Sequence, residues 1–306
     1  MIKSLVRAYH ELSKRDLRVL RVIEVGHRRY EFVPEELITK WARYRREEVL
    51  DSIRRLHYYG FLRRNLAPYK GWKITALGYD VLALHTLRVQ RKVVKISPTP
   101  IGIGKESVVY AGETPSGYKV AIKFHRGGVS AFRYEEPFRS KVARYKHLAE
   151  VFETRLSALA EFFALQRVFE GGGLVPEPLT YNRHVVVMGY VEGVELYRLS
   201  QGDFKKIADD VILTLGVALR LGIVHGDLSP YNIIVGNRSY VIDWPQWVPL
   251  GYNNYELHLQ RDLNNIAKFF KRYQVEIPVD ELLKTAREAE DSGGKFLLEI
   301  NKTTFL

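Results

Sequence analysis

The sequence predicts an α+β chain in two parts. Residues 1–90 form a basic, mainly helical module, and a larger, electrically neutral part mixes strands with helices. Three observations predict it. Residues 1–95 hold 22 Lys and Arg against 10 Asp and Glu, which leaves 25 of each sign for the remaining 211. Helical spacing of apolar residues dominates as far as Tyr59 and then gives way to short alternating runs. In residues 225–243, two β-branched runs, Ile233–Val235 and Tyr240–Ile242, flank a Gly236-Asn237 turn and read as a hairpin.

Composition sets outer limits. The chain has 306 residues, enough for two or more cored domains, and its 46% hydrophobic and 27% charged content is that of a soluble globular protein. It holds no cysteine, which removes disulfides, thiolate nucleophiles and thiolate metal sites and fits a cytoplasmic protein. No apolar run reaches the ~18 residues that a membrane helix needs, and the charged N-terminus does not read as a secretory signal.

In chain order, helices are expected over residues 4–13 and 15–26, with Leu17, Leu20, Val22 and Ile23 on the inner face. Pro34 followed by Glu35 and Glu36 suits a helix start, where acids meet the positive end of the dipole. A longer helix runs from Arg46 to Tyr59, with Val49, Leu50, Ile53 and Leu56 inward and Gly60 ending it. Two strands, 61–64 and 72–75, follow around a turn, and Thr75 caps a last helix reaching about Gln90. Helices followed by a small hairpin make a winged helix-turn-helix. Its recognition helix is flanked by Arg45, Arg46, Arg54 and Arg55, and its wing carries Arg63, Arg64, Lys70 and Lys73. These eight cations are the candidate nucleic-acid contacts; protein docking is the other use of such a module.

A basic, Pro-containing connection, 89–100, marks the boundary. Gly102 and Gly104, with Lys105, Glu106 and Ser107, then form a loop whose backbone can approach phosphates. Lys123 stands in the apolar strand 118–124 and needs a phosphate or carboxylate partner. Residues 125–146 read as a mobile basic loop, and 148–169 as a strong helix carrying Glu161, the chosen partner of Lys123, and Glu153, its competitor. Strands 179–183 and 184–189 lead to the connector 189–193, whose backbone can read an adenine edge. Helices are expected over 204–221, 256–273 and 278–289. The hairpin brings Asp227, Asn232 and Asp243 together. Two carboxylates and an amide oxygen suit Mg²⁺ beside phosphate, and the like charges require a cation or a proton between them.

The segments Gly102-x-Gly-Lys-Glu-Ser107, Ala121-Ile-Lys123, Val187-Met-Gly-Tyr-Val-Glu-Gly193, His225-Gly-Asp-Leu-Ser-Pro-Tyr-Asn232 and Ile242-Asp-Trp-Pro-Gln246 together resemble the RIO atypical protein kinases. The winged helix brings the chain nearest the second, winged-helix-bearing type, in an archaeal-like form. The resemblance covers about residues 1–285 and implies a two-lobed kinase-like fold, with a winged-helix domain over 1–90, an N-lobe over 91–193 and a C-lobe over 194–306. It implies ATP with Mg²⁺, or Mn²⁺ as the alternative ion. Lys123 would meet the α/β-phosphates with Glu161 orienting it, and Asp227 would be the catalytic Asp. Asn232 and Asp243 would ligate the metal, and Asp243 would also accept phosphate. Gly102, Gly104, Lys105, Glu106, Ser107, Val109, Met188, Gly189, Tyr190, Val191, Ser229, Tyr231 and Ile242 would line the nucleotide. Asp262 would brace the catalytic loop. Gly226 and Ser229 stand where many kinases carry basic residues, and Asp243 is followed by too few residues for a long activation loop. Both features resemble an ATPase of small ribosomal subunit maturation, bound to precursor particles and their rRNA. The alternative is a small-molecule phosphotransferase of the aminoglycoside or choline kinase kind, which leaves the basic module without a role.

Overall fold

The computed structural model describes residues 5–127, 148–252 and 254–290. The loop expected over 125–146 lies outside the described residues except for its start. The chain divides into two units: residues 5–127, 148–152 and 182–185 make the first, and 153–181, 186–252 and 254–290 the second.

In the first unit, α1 (Leu5–His10) precedes α2 (Lys14–Gly26). At the start of α2 the Ser13 hydroxyl accepts from the Asp16 N–H at 3.2 Å, and Asp16 Oδ2 accepts from the Ser13 N–H at 2.8 Å. Two helical donors without partners in the first turn are thus satisfied reciprocally. After β1 (Val33–Pro34) come α3 (Glu35–Ala42) and α4 (Arg46–Tyr58). Val49, Ile53 and Leu56 of α4 are buried as expected, whereas Leu50 is half-buried. Gly60 ends the helix at φ +76°, which L side chains adopt poorly. β2 (Leu62–Asn65) and β3 (Gly71–Ile74) form the wing, and β1 joins them in the order β1-β3-β2. Thr75 caps α5 (Ala76–Val89), its hydroxyl accepting from the Gly78 N–H at 3.2 Å.

The same unit continues into β4 (Lys95–Ile96), β5 (Gly102–Ile103), β6 (Ser107–Glu113) and β7 (Lys119–His125). β6 pairs antiparallel with β4, β5 and β7, setting Val109 opposite Lys123. The winged-helix module and this sheet lie in the same compact unit. Charged side chains of α2 and α5 bind the residues after β7 and around Arg183, so the module and the sheet fold as one body.

The second unit is built on most of α6 (Ala149–Glu170), with β8 (Pro178–Asn182) and the fully buried β9 (Val185–Gly189). β10 (Val194–Glu195) leads to α7 (Phe204–Arg220) and β11 (Ile223–Val224). The hairpin is β12 (Ile233–Val235) and β13 (Ser239–Val241), in a sheet of order β10-β12-β13. Its second strand starts one residue earlier than expected, so Ser239 enters the strand and the loop is Gly236, Asn237 and Arg238. Asp210 of α7 sets that shift: it accepts from Arg238 Nε at 2.9 Å and from the Ser239 N–H at 2.7 Å. β14 (Val248–Pro249) pairs with β11, and α8 (Tyr255–Lys271) and α9 (Val279–Glu288) complete the unit. No helix among the described residues is long and apolar enough to cross a membrane.

Candidate active site

The catalytic loop hangs between β11 and β12. Asp262, buried on α8, accepts from the Gly226 N–H at 2.7 Å and the Leu228 N–H at 2.9 Å. Burial pushes its carboxyl up, while the two backbone donors and Arg261 pull the other way. Asn265 adds a bond to the Leu228 carbonyl at 3.0 Å. With both flanking residues clamped, Asp227 presents its side chain outward, 57% exposed, with Arg261 Nη2 at 3.9 Å. Arg261 also donates to the Gly226 carbonyl. Glycine at 226 has a structural cause: φ is +83°, and a Cβ would collide with the Gln246 carbonyl oxygen.

His225 joins this loop to the end of the hairpin. Its Nε2 donates to the Ile242 carbonyl at 3.0 Å, and its Nδ1 accepts from the Asp227 N–H at 3.3 Å. Those two roles fit one neutral tautomer. Asn232 Nδ2 donates to the Asp227 carbonyl at 2.8 Å, which fixes the orientation of its amide. The Asn232 carbonyl accepts from the Ile242 N–H at 2.9 Å, placing Asp243 next to it. Asp243 sits at φ +70°, a conformation that costs a non-glycine residue about 1–2 kcal/mol. The buried Trp244 anchors the residue after it, donating to the Val241 carbonyl at 3.1 Å. Backbone held in this region is concentrated at functional sites. Trp247 then donates to the Ala160 carbonyl of α6 at 3.0 Å, and β14 follows at once. The segment after Asp243 is therefore committed to the core and has no length for an activation loop.

Ser229 precedes the 3₁₀ turn Pro230–Asn232, its carbonyl accepting from the Asn232 N–H at 2.9 Å. Tyr231, expected at the nucleotide, turns its ring outward onto Tyr197, with centroids 4.2 Å apart. At the connector Met188 and Gly189 are buried, Val191 half-buried and Tyr190 exposed; Ile242, just after β13, is half-buried. The Gly189 N–H is committed to the Glu177 carbonyl at 2.8 Å, so this residue can offer an adenine only its carbonyl. Of the two acids on α6, Glu161 is buried and Glu153 half-buried.

In the first unit, Lys123 is buried in β7 at 7% exposure. The Gly104 N–H donates to the Ser107 carbonyl at 2.9 Å, closing the turn that exposes Lys105 and Glu106. A Cβ at Gly102 or Gly104 would meet nothing nearer than 3.7 Å, and neither residue has a positive φ. The chain itself does not require glycine there, and the space suits a ligand lying over the loop.

The structure sorts the eight basic residues of the winged helix. Arg55 Nη1 binds the buried Asp16 at 3.0 Å, although its own side chain is 40% exposed. Lys70 pairs with Glu35 at 3.1 Å, Lys73 with Glu31 at 3.0 Å, and Arg54 with Asp51. Arg45, Arg46, Arg63 and Arg64 are exposed with no carboxylate partner among the described residues, and Arg64 lies over the Trp72 ring. Arg43 and Tyr44, not anticipated from the sequence, are exposed just before α4.

Sequence reading also missed a buried charged network in the first unit. Asp80 of α5 accepts from Arg126 Nη1 at 2.6 Å and Nη2 at 2.7 Å, and from His184 Nε2 at 2.7 Å. Burial holds the His184 pKa below its ordinary value despite Asp80, so the ring is a neutral donor and Arg126 supplies the charge. Glu24 of α2 takes Arg183 through Nε at 2.7 Å and Nη2 at 2.8 Å. Acids inside helical runs look like solvated faces in a sequence, and no local signal marked these.

A glycine-bearing hairpin, a lysine buried in the next strands, and an exposed Asp on a loop clamped by a helix Asp define a protein-kinase-like enzyme. Family comparison agrees: the RIO domain matches residues 108–282, and the Rio2 N-terminal domain matches residues 9–91. The RIO-type serine/threonine-protein kinase Rio2 of Methanocaldococcus jannaschii is 33% identical over 84% of this chain and 98% of its own length. The serine/threonine-protein kinase rio2 of Dictyostelium discoideum is 34% identical over 87% of this chain, which spans about half (51%) of that longer protein. The crystal structure of the Rio2 kinase from Chaetomium thermophilum in its ADP/Mg²⁺-phosphoaspartate complex superposes with a TM-score of 0.78 at 28% identity, covering 97% of this chain and 96% of its own. The chain belongs to the RIO family of serine/threonine-protein kinases, in the Rio2 group.

Proposed function

We infer that this chain is an ATP- and Mg²⁺-dependent serine/threonine kinase and ATPase that acts in the cytoplasm on small ribosomal subunit precursors, holding their rRNA through its winged helix. The observation that carries the catalytic part is the loop around Asp227. Its backbone is fixed on both sides by Asp262, while its carboxylate is left open to an acceptor. A group so placed can orient a hydroxyl and take its proton.

The donor set fits Mg²⁺. Among the described residues no cluster of three or more His, Asp or Glu could hold a metal by itself. Mg²⁺ at kinase sites is held by one or two protein oxygens with phosphate and water completing its shell. Asn232 Oδ1 and the Asp243 carboxylate would supply those oxygens, and the bound ion would neutralise charge on the phosphates. Lys123 would bind the α/β-phosphates with Glu161 as its acid. The loop at Gly102 and Gly104 would cover the phosphates, with Lys105, Glu106, Ser107 and Val109 beside them. The connector from Met188 to Val191 would receive the base. The Chaetomium kinase was captured with phosphoaspartate. Here Asp243 is the counterpart we propose. Its carboxylate oxygen bonds to the γ-phosphorus as the bond to the β-phosphate oxygen breaks, releasing ADP. Water then attacks the phosphorus, returning Asp243 and inorganic phosphate.

The RNA part rests on charge. The basic excess lies wholly in the first 95 residues, and of the eight candidate contacts Arg45, Arg46, Arg63 and Arg64 are exposed with no carboxylate partner among the described residues. One experiment tests the catalytic part. γ-Labelled ATP with Mg²⁺ is incubated with the full chain, alone or with small ribosomal subunits. Label released as phosphate, with a transient acid-stable, hydroxylamine-labile fraction on the protein, is the expected result. Label passed instead to an added small molecule would overturn it.

A further inference from the structure

The N-terminal module reaches the nucleotide-binding elements through one buried acid. Asp80 lies on α5 at 0% exposure, remote in sequence from every motif. Both its oxygens are gripped by the Arg126 fork, at 2.6 and 2.7 Å. Arg126 comes three residues after Lys123, and its own N–H donates to the Glu106 carbonyl in the glycine-bearing turn at 2.8 Å. The third ligand of Asp80 is His184, whose carbonyl accepts from the His125 N–H at 2.9 Å. His184 directly precedes β9, the strand that ends in the Gly189 connector. One carboxylate therefore fixes the end of the lysine strand, the glycine-bearing turn and the start of the connector strand. Arg183 adds a second tie. It is held at φ +56° by the Glu24 bidentate pair and by Thr86 Oγ1 at 3.0 Å. A bidentate guanidinium–carboxylate pair in a dry site fixes orientation as well as distance.

We propose that Asp80 is a positioning residue of the nucleotide site, through which the winged-helix module sets the geometry that Lys123 and the glycine-bearing loop offer to ATP. The proposal rests on the assignment of those elements to ATP. Sheet and module then form one shaped part, and a change on the module's side of Asp80 is felt as a change in nucleotide affinity.

The test compares the full-length chain with Asp80→Asn and with Glu35→Gln. Glu35 is a buried acid of the same module that binds Lys70 and Trp72. For each, kcat and KM for ATP are measured at a temperature where circular dichroism shows the chain folded, and the ADP–Mg²⁺ affinity is measured by calorimetry. Asp80→Asn is expected to raise KM and weaken ADP by about 5-fold or more, the size of a typical coupling between sites. Glu35→Gln is expected to leave both unchanged. A merely structural role would reduce the active fraction, and so apparent kcat, at constant KM. Unchanged KM in Asp80→Asn, or an equal rise in Glu35→Gln, overturns the proposal. If Asp80→Asn does not fold, Arg126→Lys, which keeps the charge and loses the fork, is read by the same criteria. A wild-type chain that binds no nucleotide would instead remove the assignment of Lys123 and its neighbours to ATP.

Discussion

In the first unit the decisive carboxylates are buried and closed off by guanidinium groups. In the second, the carboxylate at the centre of the catalytic loop faces water, and the backbone beside it is what is held. Asp16, Glu24 and Asp80 each meet an arginine at 3.0 Å or less, with side-chain exposures of 0%, 6% and 0%. Asp227 is 57% exposed, and its guanidinium stands back at 3.9 Å. A buried charge needs close partners, so its oxygens are taken up in holding the groups around it in place. A carboxylate that is to take a proton needs unused acceptor capacity, and the position of Asp227 comes from Asp262, His225 and Asn232 acting on the main chain around it. The same residue type thus serves architecture or chemistry according to whether its oxygens or its backbone are restrained.

Removing each kind of carboxylate separates the two roles. Asp227→Ala should lower ATP turnover by about 10²- to 10⁴-fold, the range for lost acid–base assistance, with thermal stability and nucleotide affinity little changed. Equal turnover in that variant would take Asp227 out of the mechanism. Asp80→Ala reverses the pattern: the half-buried Arg126 and the buried His184 lose their shared acceptor, which should cost about 1–3 kcal/mol, read as a lower urea midpoint. Asp262→Ala lies between the two. Two buried backbone donors lose their acceptor, at about 1–3 kcal/mol, and turnover falls because Asp227 is no longer presented. A variant that lost stability but kept its rate would show that the clamp is only structural.

Smaller effects sharpen the same contrast. Replacing Arg46 and Arg63 by Ala should weaken binding to small-subunit rRNA and reduce the salt dependence by about one unit of slope per charge removed. Lys73→Ala, already neutralised by Glu31, should change the slope less. The smallest effect is protonic. His184 has a folded pKa below its ordinary value, and the half-buried His85 is also lowered, with burial the main cause in each. Below about 6.5 the unfolded chain takes up protons that the folded chain does not, so stability is full above that pH and falls beneath it. One such proton accounts for at most about 1.4 kcal/mol per pH unit. Urea midpoints between pH 7.5 and 5.5 should show this slope, and His184→Gln should flatten it.

How much of this was legible depended on whether the determining contacts were local. The capping Thr75, the apolar face Val49-Ile53-Leu56 and the Gly60 stop all follow from neighbours within a few residues. The hairpin placed Asp227, Asn232 and Asp243 together because antiparallel pairing is itself a local rule. The pairing of Arg55 was not legible because its partner, Asp16, lies on another helix. The tie between the module and the sheet was not legible, because composition does not register Asp80 meeting Arg126 and His184.

The sequence by itself determined the two-part plan, the winged helix, the catalytic hairpin and the kinase-like residue set, because periodicity, caps, turns and motif spacing act over short stretches of chain. Only the tertiary structure decided which charges are spoken for. It assigned Arg55, Lys70 and Lys73 to acids and left Arg45, Arg46, Arg63 and Arg64 to solvent. It gave Gly226 its reason in the Gln246 carbonyl, and it joined the winged helix to the lysine strand through Asp80. A charge acquires its meaning from burial and from partners far along the chain, and those exist only once the chain has folded.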